Sequence, residues 1–169
     1  MNPVLAAWNQ ADGESALATM TACCGARRWA AAMVALRPID GIAELSVAAD
    51  RVWSAMGEDD WMEAFACHPR IGGRDATQAT AQSLEWSKNE QSSTAVATKL
   101  VLAELAECNE MYEQRFGFTY IVCATGKSSE EMLSILKRRL TSDRTTELRE
   151  AAEQQRQITQ IRLGKWLIS

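Results

Sequence analysis

Apolar residues return at helical spacing along most of the chain. Between residues 26 and 36, Trp29, Met33 and Leu36 fall on one face, and Pro38 stands just beyond, where a helix has to stop. From Glu44 to Met56 the stripe is Leu45, Ala49, Val52, Trp53 and Met56, and Gly57 is predicted as its left-handed C-terminal cap. Trp61 to Ala66 predicts a short helix that ends because Pro69 pushes His68 out of the α region. A loop over Ile71-Gly72-Gly73-Arg74-Asp75 follows, then a turn or two of helix from Ala76 to Glu85. Thr94 to Arg115 is predicted as a long central helix with Val96, Leu100 and Ala103 on its apolar face. Ser128 and Glu131 make a capping box ahead of Met132, Ile135, Leu136 and Leu140, and Leu148, Ala151, Ala152, Ile158 and Ile161 carry a last long helix broken by Gly164. Only Thr119-Tyr120-Ile121-Val122-Cys123-Ala124, between Gly117 and Gly126, has the short β-branched and aromatic character of a strand. The sum is an all-α, single-domain helical bundle over residues 1–169 with one short extended segment near 119–124.

Composition agrees with a chain that folds on its own core, since 47% of residues are hydrophobic and 24% charged, far from a disordered balance. The net charge is −4, and Lys and Arg are scattered, which argues against a nucleic-acid partner. Five cysteines (Cys23, Cys24, Cys67, Cys108 and Cys123) are an odd number without C-x-x-C spacing, so they are expected to be reduced thiols and no metal site is predicted. No run approaches the ~20 apolar residues of a membrane span. No basic leader precedes an apolar stretch at the N-terminus, and Leu167-Ile168-Ser169 is not a peroxisomal address. The expectation is a cytoplasmic protein that binds neither membrane nor nucleic acid.

Chemistry has few places to reside. His68, the only histidine, is the one side chain type here that ordinarily titrates near neutrality. By itself it is open to two readings, a general acid or base and a polar cap at a helix end. Glu90, in the polar patch Ser87-Lys88-Asn89-Glu90-Gln91, reads either as a loop carboxylate that orients a substrate or as a carboxylate at a helix N-terminus favoured by the dipole. Arg162 lies fourteen residues after Leu148, which returns it to within about 40° of the same helix face. A guanidinium on an apolar face needs an anionic or carbonyl partner, either a ligand or a protein carboxylate, because an unpaired buried charge costs about 3–5 kcal/mol. Gly72-Gly73 with Arg70 and Arg74 could form an anion nest but lacks the Gly-Lys-Ser/Thr ending of a phosphate loop. A Cys67 nucleophile beside His68 is disfavoured, since adjacent side chains point apart.

Together the motifs resemble the family of 2-oxo-4-hydroxy-4-carboxy-5-ureidoimidazoline (OHCU) decarboxylases. The resemblance rests on Cys23-Cys24-Gly25 with Arg28-Trp29, on His68-Pro69 with Ile71-Gly72, and on Ser87-x-x-Glu90-Gln91. It continues through Asn109-x-x-Tyr112-x-x-Arg115-Phe116-Gly117-Phe118 into Tyr120-Ile121-Val122-Cys123-Ala124, and ends on Arg162. It implies His68 and Glu90 as the catalytic pair. Pro69, Ser87 and Arg162, with the backbone of Ile121, Val122 and Cys123, are implied as substrate contacts. It further implies a homodimer that converts a small ureidoimidazoline to (S)-allantoin in urate breakdown, with no cofactor and no metal.

Overall fold

The computed structural model describes residues 2–71, 81–90 and 99–169; the side chains of Ala81 and Glu90 fall outside that description. Among the described residues there are nine helices and no strand: α1 (Pro3–Gln10), α2 (Gly13–Cys23), α3 (Arg27–Ala35), α4 (Ile42–Ser54), α5 (Glu58–Phe65), α6 (Ala81–Glu90), α7 (Lys99–Phe116), α8 (Ser129–Arg139) and α9 (Arg144–Trp166). No described helix is long and apolar enough to cross a membrane. The all-α expectation holds. The chain divides into two compact units, Met1–Ala64 with Arg156–Ser169, and Phe65–Gln155.

The first unit is built on short helices with explicit caps. Asn2 accepts from the amides of Val4 and Leu5 at 2.9 and 3.1 Å, Pro3 occupies the first helical position, and Asp12 accepts from Ser15 N–H at 2.8 Å to open α2. Helix α3 packs on α2 and α4, and the Trp29 indole N–H donates to Ala49 O at 3.1 Å, so a fully buried tryptophan leaves no orphaned donor. Trp8 meets Trp166 edge-on at 5.9 Å. Helices α1 and α2 are not among the expectations above; the local signals that mark them are the caps Asn2 and Asp12 at their starts. Gly57 differs from its predicted role. It has no positive φ; its N–H donates to Asp60 Oδ2 at 3.0 Å and its carbonyl accepts from Trp61 N–H at 3.0 Å, so it opens α5 instead of closing α4.

In the second unit α7 packs on α8. The buried face of α7 is Leu105, Cys108, Asn109, Tyr112 and Phe116, while Leu100 and Ala103, predicted to face the core, are exposed. Gly117, at φ +83°, adopts the left-handed conformation that ends α7, its N–H donating to Glu113 O at 2.9 Å. Phe118 then turns back onto Phe65 at 5.3 Å and Tyr112 at 5.7 Å. The capping box of α8 is formed as expected from Ser128 and Glu131. Gly164 does not interrupt α9. Helix α6 runs through Trp86 and Ser87 to Glu90, so Ser87 to Glu90 are helical and Glu90 ends that helix instead of lying in a loop or opening a helix, while Gln91 lies outside the described residues. The predicted loop from Gly72 onward, residues 76–80, and residues 94–98 lie outside the described residues.

Candidate active site

His68 stands where its position before Pro69 predicts, at the exit of α5, with its backbone N–H turned back to Phe65 O at 3.1 Å. The ring is half-buried, and its Nε2 lies 2.6 Å from Oε1 of Gln155, a wholly buried side chain on α9, within hydrogen-bond distance. The next residues are braced from α7. Arg70 Nε donates to Glu113 Oε1 at 2.7 Å and its Nη2 pairs with Glu113 Oε2, a two-pronged contact that raises the guanidinium pKa further. Thr119 Oγ1 donates to the same Glu113 Oε1 at 3.3 Å. One carboxylate therefore fixes both the chain leaving His68 and the start of the segment near 119–124.

That segment is not a strand. It pairs with no other strand among the described residues, so side chains take up its backbone groups. Arg139 Nη1 donates to Ile121 O at 2.5 Å, Cys123 N–H donates to Gln154 Oε1 at 2.9 Å, and Lys127 Nζ donates to Cys123 O at 2.8 Å. The amides of Ile121 and Val122 donate to nothing among the described residues, although both residues are buried. Behind Ile121, Arg139 pairs with Glu147, whose Oε1 also accepts from the Tyr112 hydroxyl, and the guanidinium lies over the Tyr120 ring at 5.0 Å. Burial disfavours the Arg139 cation, but the bond to Glu147 and the neighbouring Tyr112 outweigh it and its pKa rises. Burial also pushes both phenols, Tyr112 and Tyr120, well above their ordinary range, with Arg139 pulling the other way.

The neighbouring glutamines of α9 bring His68 and the 121–123 segment together. Ser87 is buried on α6 in the same unit, with position 90 one turn further along that helix; the Glu90 side chain lies outside the described residues. Pro69 is half-buried beside His68. Arg162 belongs to the other unit, 1% exposed, as its place on the apolar face predicts. Near it burial pushes the Cys23 thiol up to about 12, against the pull of Arg162. Sequence reasoning missed Gln155, Gln154, Glu113 and Arg139. Gln155 had a signal: it is seven residues after Leu148, on the heptad count that singled out Arg162.

The class defined by this fold is helical. A crystal structure of OHCU decarboxylase in the presence of (S)-allantoin matches it with a TM-score of 0.76 at 33% identity, over 88% of this chain and 96% of that one. A crystal structure of (S)-allantoin synthase, 17% identical, shares the fold with a TM-score of 0.72 over 96% of this chain and 53% of that one. The chain belongs to the OHCU decarboxylase family, whose model matches residues 9–164. It is 35% identical over 144 residues to the uric acid degradation bifunctional protein TTL of Arabidopsis thaliana, 85% of this chain and 44% of the relative. It is 30% identical over 97 residues to the 2-oxo-4-hydroxy-4-carboxy-5-ureidoimidazoline decarboxylase of Amia calva, 57% of this chain and 55% of the relative. The chain thus spans about half the length of these two curated relatives.

Proposed function

We propose that the chain decarboxylates 2-oxo-4-hydroxy-4-carboxy-5-ureidoimidazoline to (S)-allantoin. The observation that carries this, beyond family membership, is the lone imidazole held at 2.6 Å by a buried amide, whose neighbour on α9 holds a segment in which the Ile121 and Val122 N–H groups donate to nothing among the described residues. The carboxylate leaves as CO2, and its bonding pair passes into the adjacent C=N of the substrate. The C=N nitrogen and the ring carbon each gain a proton while the hydroxyl gives one up as its carbon becomes a carbonyl, so each turnover takes up one proton overall. The substrate supplies its own electron sink, and the protein's task is orientation and proton handling.

In this reading His68 serves the departing carboxylate and the proton that replaces it, and Glu90 accepts a hydrogen bond from the substrate hydroxyl. Arg162, Ser87 and Pro69 contact the ring and ureido group. The amides of Ile121 and Val122 are donors suited to a ureido or ring oxygen. Cys123 N–H is already given to Gln154, so a substrate oxygen reaches it only by replacing that amide.

The test is to generate the substrate from urate in situ and follow optical activity. Chiral allantoin should appear faster than in the uncatalysed control, and racemic allantoin at the control rate overturns the proposal. His68→Asn is expected to lower kcat by ~100-fold or more with folding unchanged, and full activity removes His68 from the mechanism. The same reading makes the chain a cytoplasmic homodimer; a monomer by light scattering overturns that assignment.

A further inference from the structure

We propose that Gln155 is the positioning residue of this reaction: its amide oxygen takes the proton on His68 Nε2 and holds the imidazole in one tautomer and one orientation. The inference rests on the decarboxylase reading for its catalytic part, but its structural part stands alone.

Four observations support it. The contact is short, 2.6 Å, and Gln155 is wholly buried, so the amide has no water to exchange the bond for. Gln155 lies on the stripe of α9 that also buries Ala151, Ala152, Ile158 and Thr159, positions that pin the helix against its surroundings. A glutamine on such a stripe costs desolvation without repaying it in packing, and a polar partner offsets that cost. Its neighbour Gln154 holds Cys123 N–H at 2.9 Å, so one turn of α9 sets the ring and the extended segment in register. Finally, the exit of α5 is braced on its other side by the Arg70–Glu113 pair, which steadies the backbone that carries the His68 ring.

The chemistry follows from the two ring nitrogens. With Nε2–H donating to Oε1, the neutral ring carries its lone pair on Nδ1, and in the imidazolium Nδ1–H becomes the mobile proton. Gln155 thereby decides which nitrogen faces reacting atoms, although it touches no substrate itself. A carboxylate in its place would still accept the Nε2 proton; an aliphatic side chain would not.

The single histidine makes the test clean, because a 15N-histidine-labelled protein shows one imidazole. In the wild type the neutral ring should be the Nε2–H tautomer alone. Gln155→Leu should give a mixture of tautomers and lower kcat by roughly 100-fold with KM changed less than threefold. Gln155→Glu should restore the single Nε2–H tautomer and most of the lost kcat. An Nδ1–H ring in the wild type overturns the inference, and so does a Leu variant with wild-type spectrum and kcat. If the Leu variant does not fold, the wild-type and Glu spectra still decide. If the spectra behave as stated and no chiral allantoin forms in any variant, the proposed function fails while the tautomer lock stands.

Discussion

Two arginine–glutamate pairs of the same composition stand in opposite surroundings. Arg139 and Glu147 have side chains 4% and 1% exposed, whereas Arg27 and Glu63 are 86% and 24% exposed. The buried pair has lost its water, and it recovers that cost through a closed set of partners, with Tyr112 and Arg139 on Glu147 and Ile121 O on Arg139. Removing one member leaves a buried charge without its counter-charge. The exposed pair surrenders little water and is screened by salt, so the Arg27 side chain can go with little consequence, whereas Glu63 also accepts from Arg27 N–H at 3.0 Å at the start of α3. Arg70–Glu113, 31% and 26% exposed, lies between the extremes. What a pair contributes is thus set by what else its atoms hold.

The sharpest way to break this comparison is Glu147→Ala, expected to cost about 3–5 kcal/mol in urea unfolding. A double Arg139→Met, Glu147→Leu variant should lose less stability than the single change, yet lose activity because Ile121 O loses its donor. Next comes an alkaline titration. The chain has two tyrosines, and both phenols are raised above the ordinary value of about 10. Their contribution is complete below pH 10 and is lost as pH rises above it, because the unfolded chain ionises first. Absorbance at 295 nm should stay flat until the fold is lost; a normal titration near pH 10 contradicts the burial. Arg70→Ala should cost about 1 kcal/mol and lower activity more than stability, since it frees the chain beside His68. The smallest effect belongs to Arg27→Ala, within ~0.5 kcal/mol and shrinking with added salt.

What the sequence made legible was local. The capping box of α8, the stripes of α3 and α4 and the exit at Pro69 each depend on residues a few positions apart, and each is present, except that Leu36 at the end of the α3 stripe is exposed. The burial of Arg162 was legible for the same reason, being a matter of helix phase. The face of α7 was misjudged because Leu100 and Ala103 are apolar residues that the fold leaves exposed, while Asn109, a polar residue, is buried. Gly57 was read from the helix before it when the helix after it claims its polar groups. The segment 119–124 has strand composition but no strand to pair with among the described residues; its partners, Arg139, Gln154 and Lys127, come from elsewhere in the sequence. Helix α9 hid its role in the same way, because Glu147, Gln155, Thr159 and Arg162 put polar groups on the buried side and blur the pattern by which a core face is recognised.

The division of the chain also has a consequence for the order in which the molecule can assemble. Residues 65–155 form one uninterrupted stretch, whereas the other unit needs residues 156–169 to return to residues 1–64. Asn2 Nδ2 donates to Leu167 O at 3.0 Å across 165 positions, and Trp8 waits for Trp166. During synthesis the unit that holds His68 and Gln155 is therefore complete first. The unit that holds Arg162 closes only when the last helix has left the ribosome, by contacts of long sequence separation that form slowly.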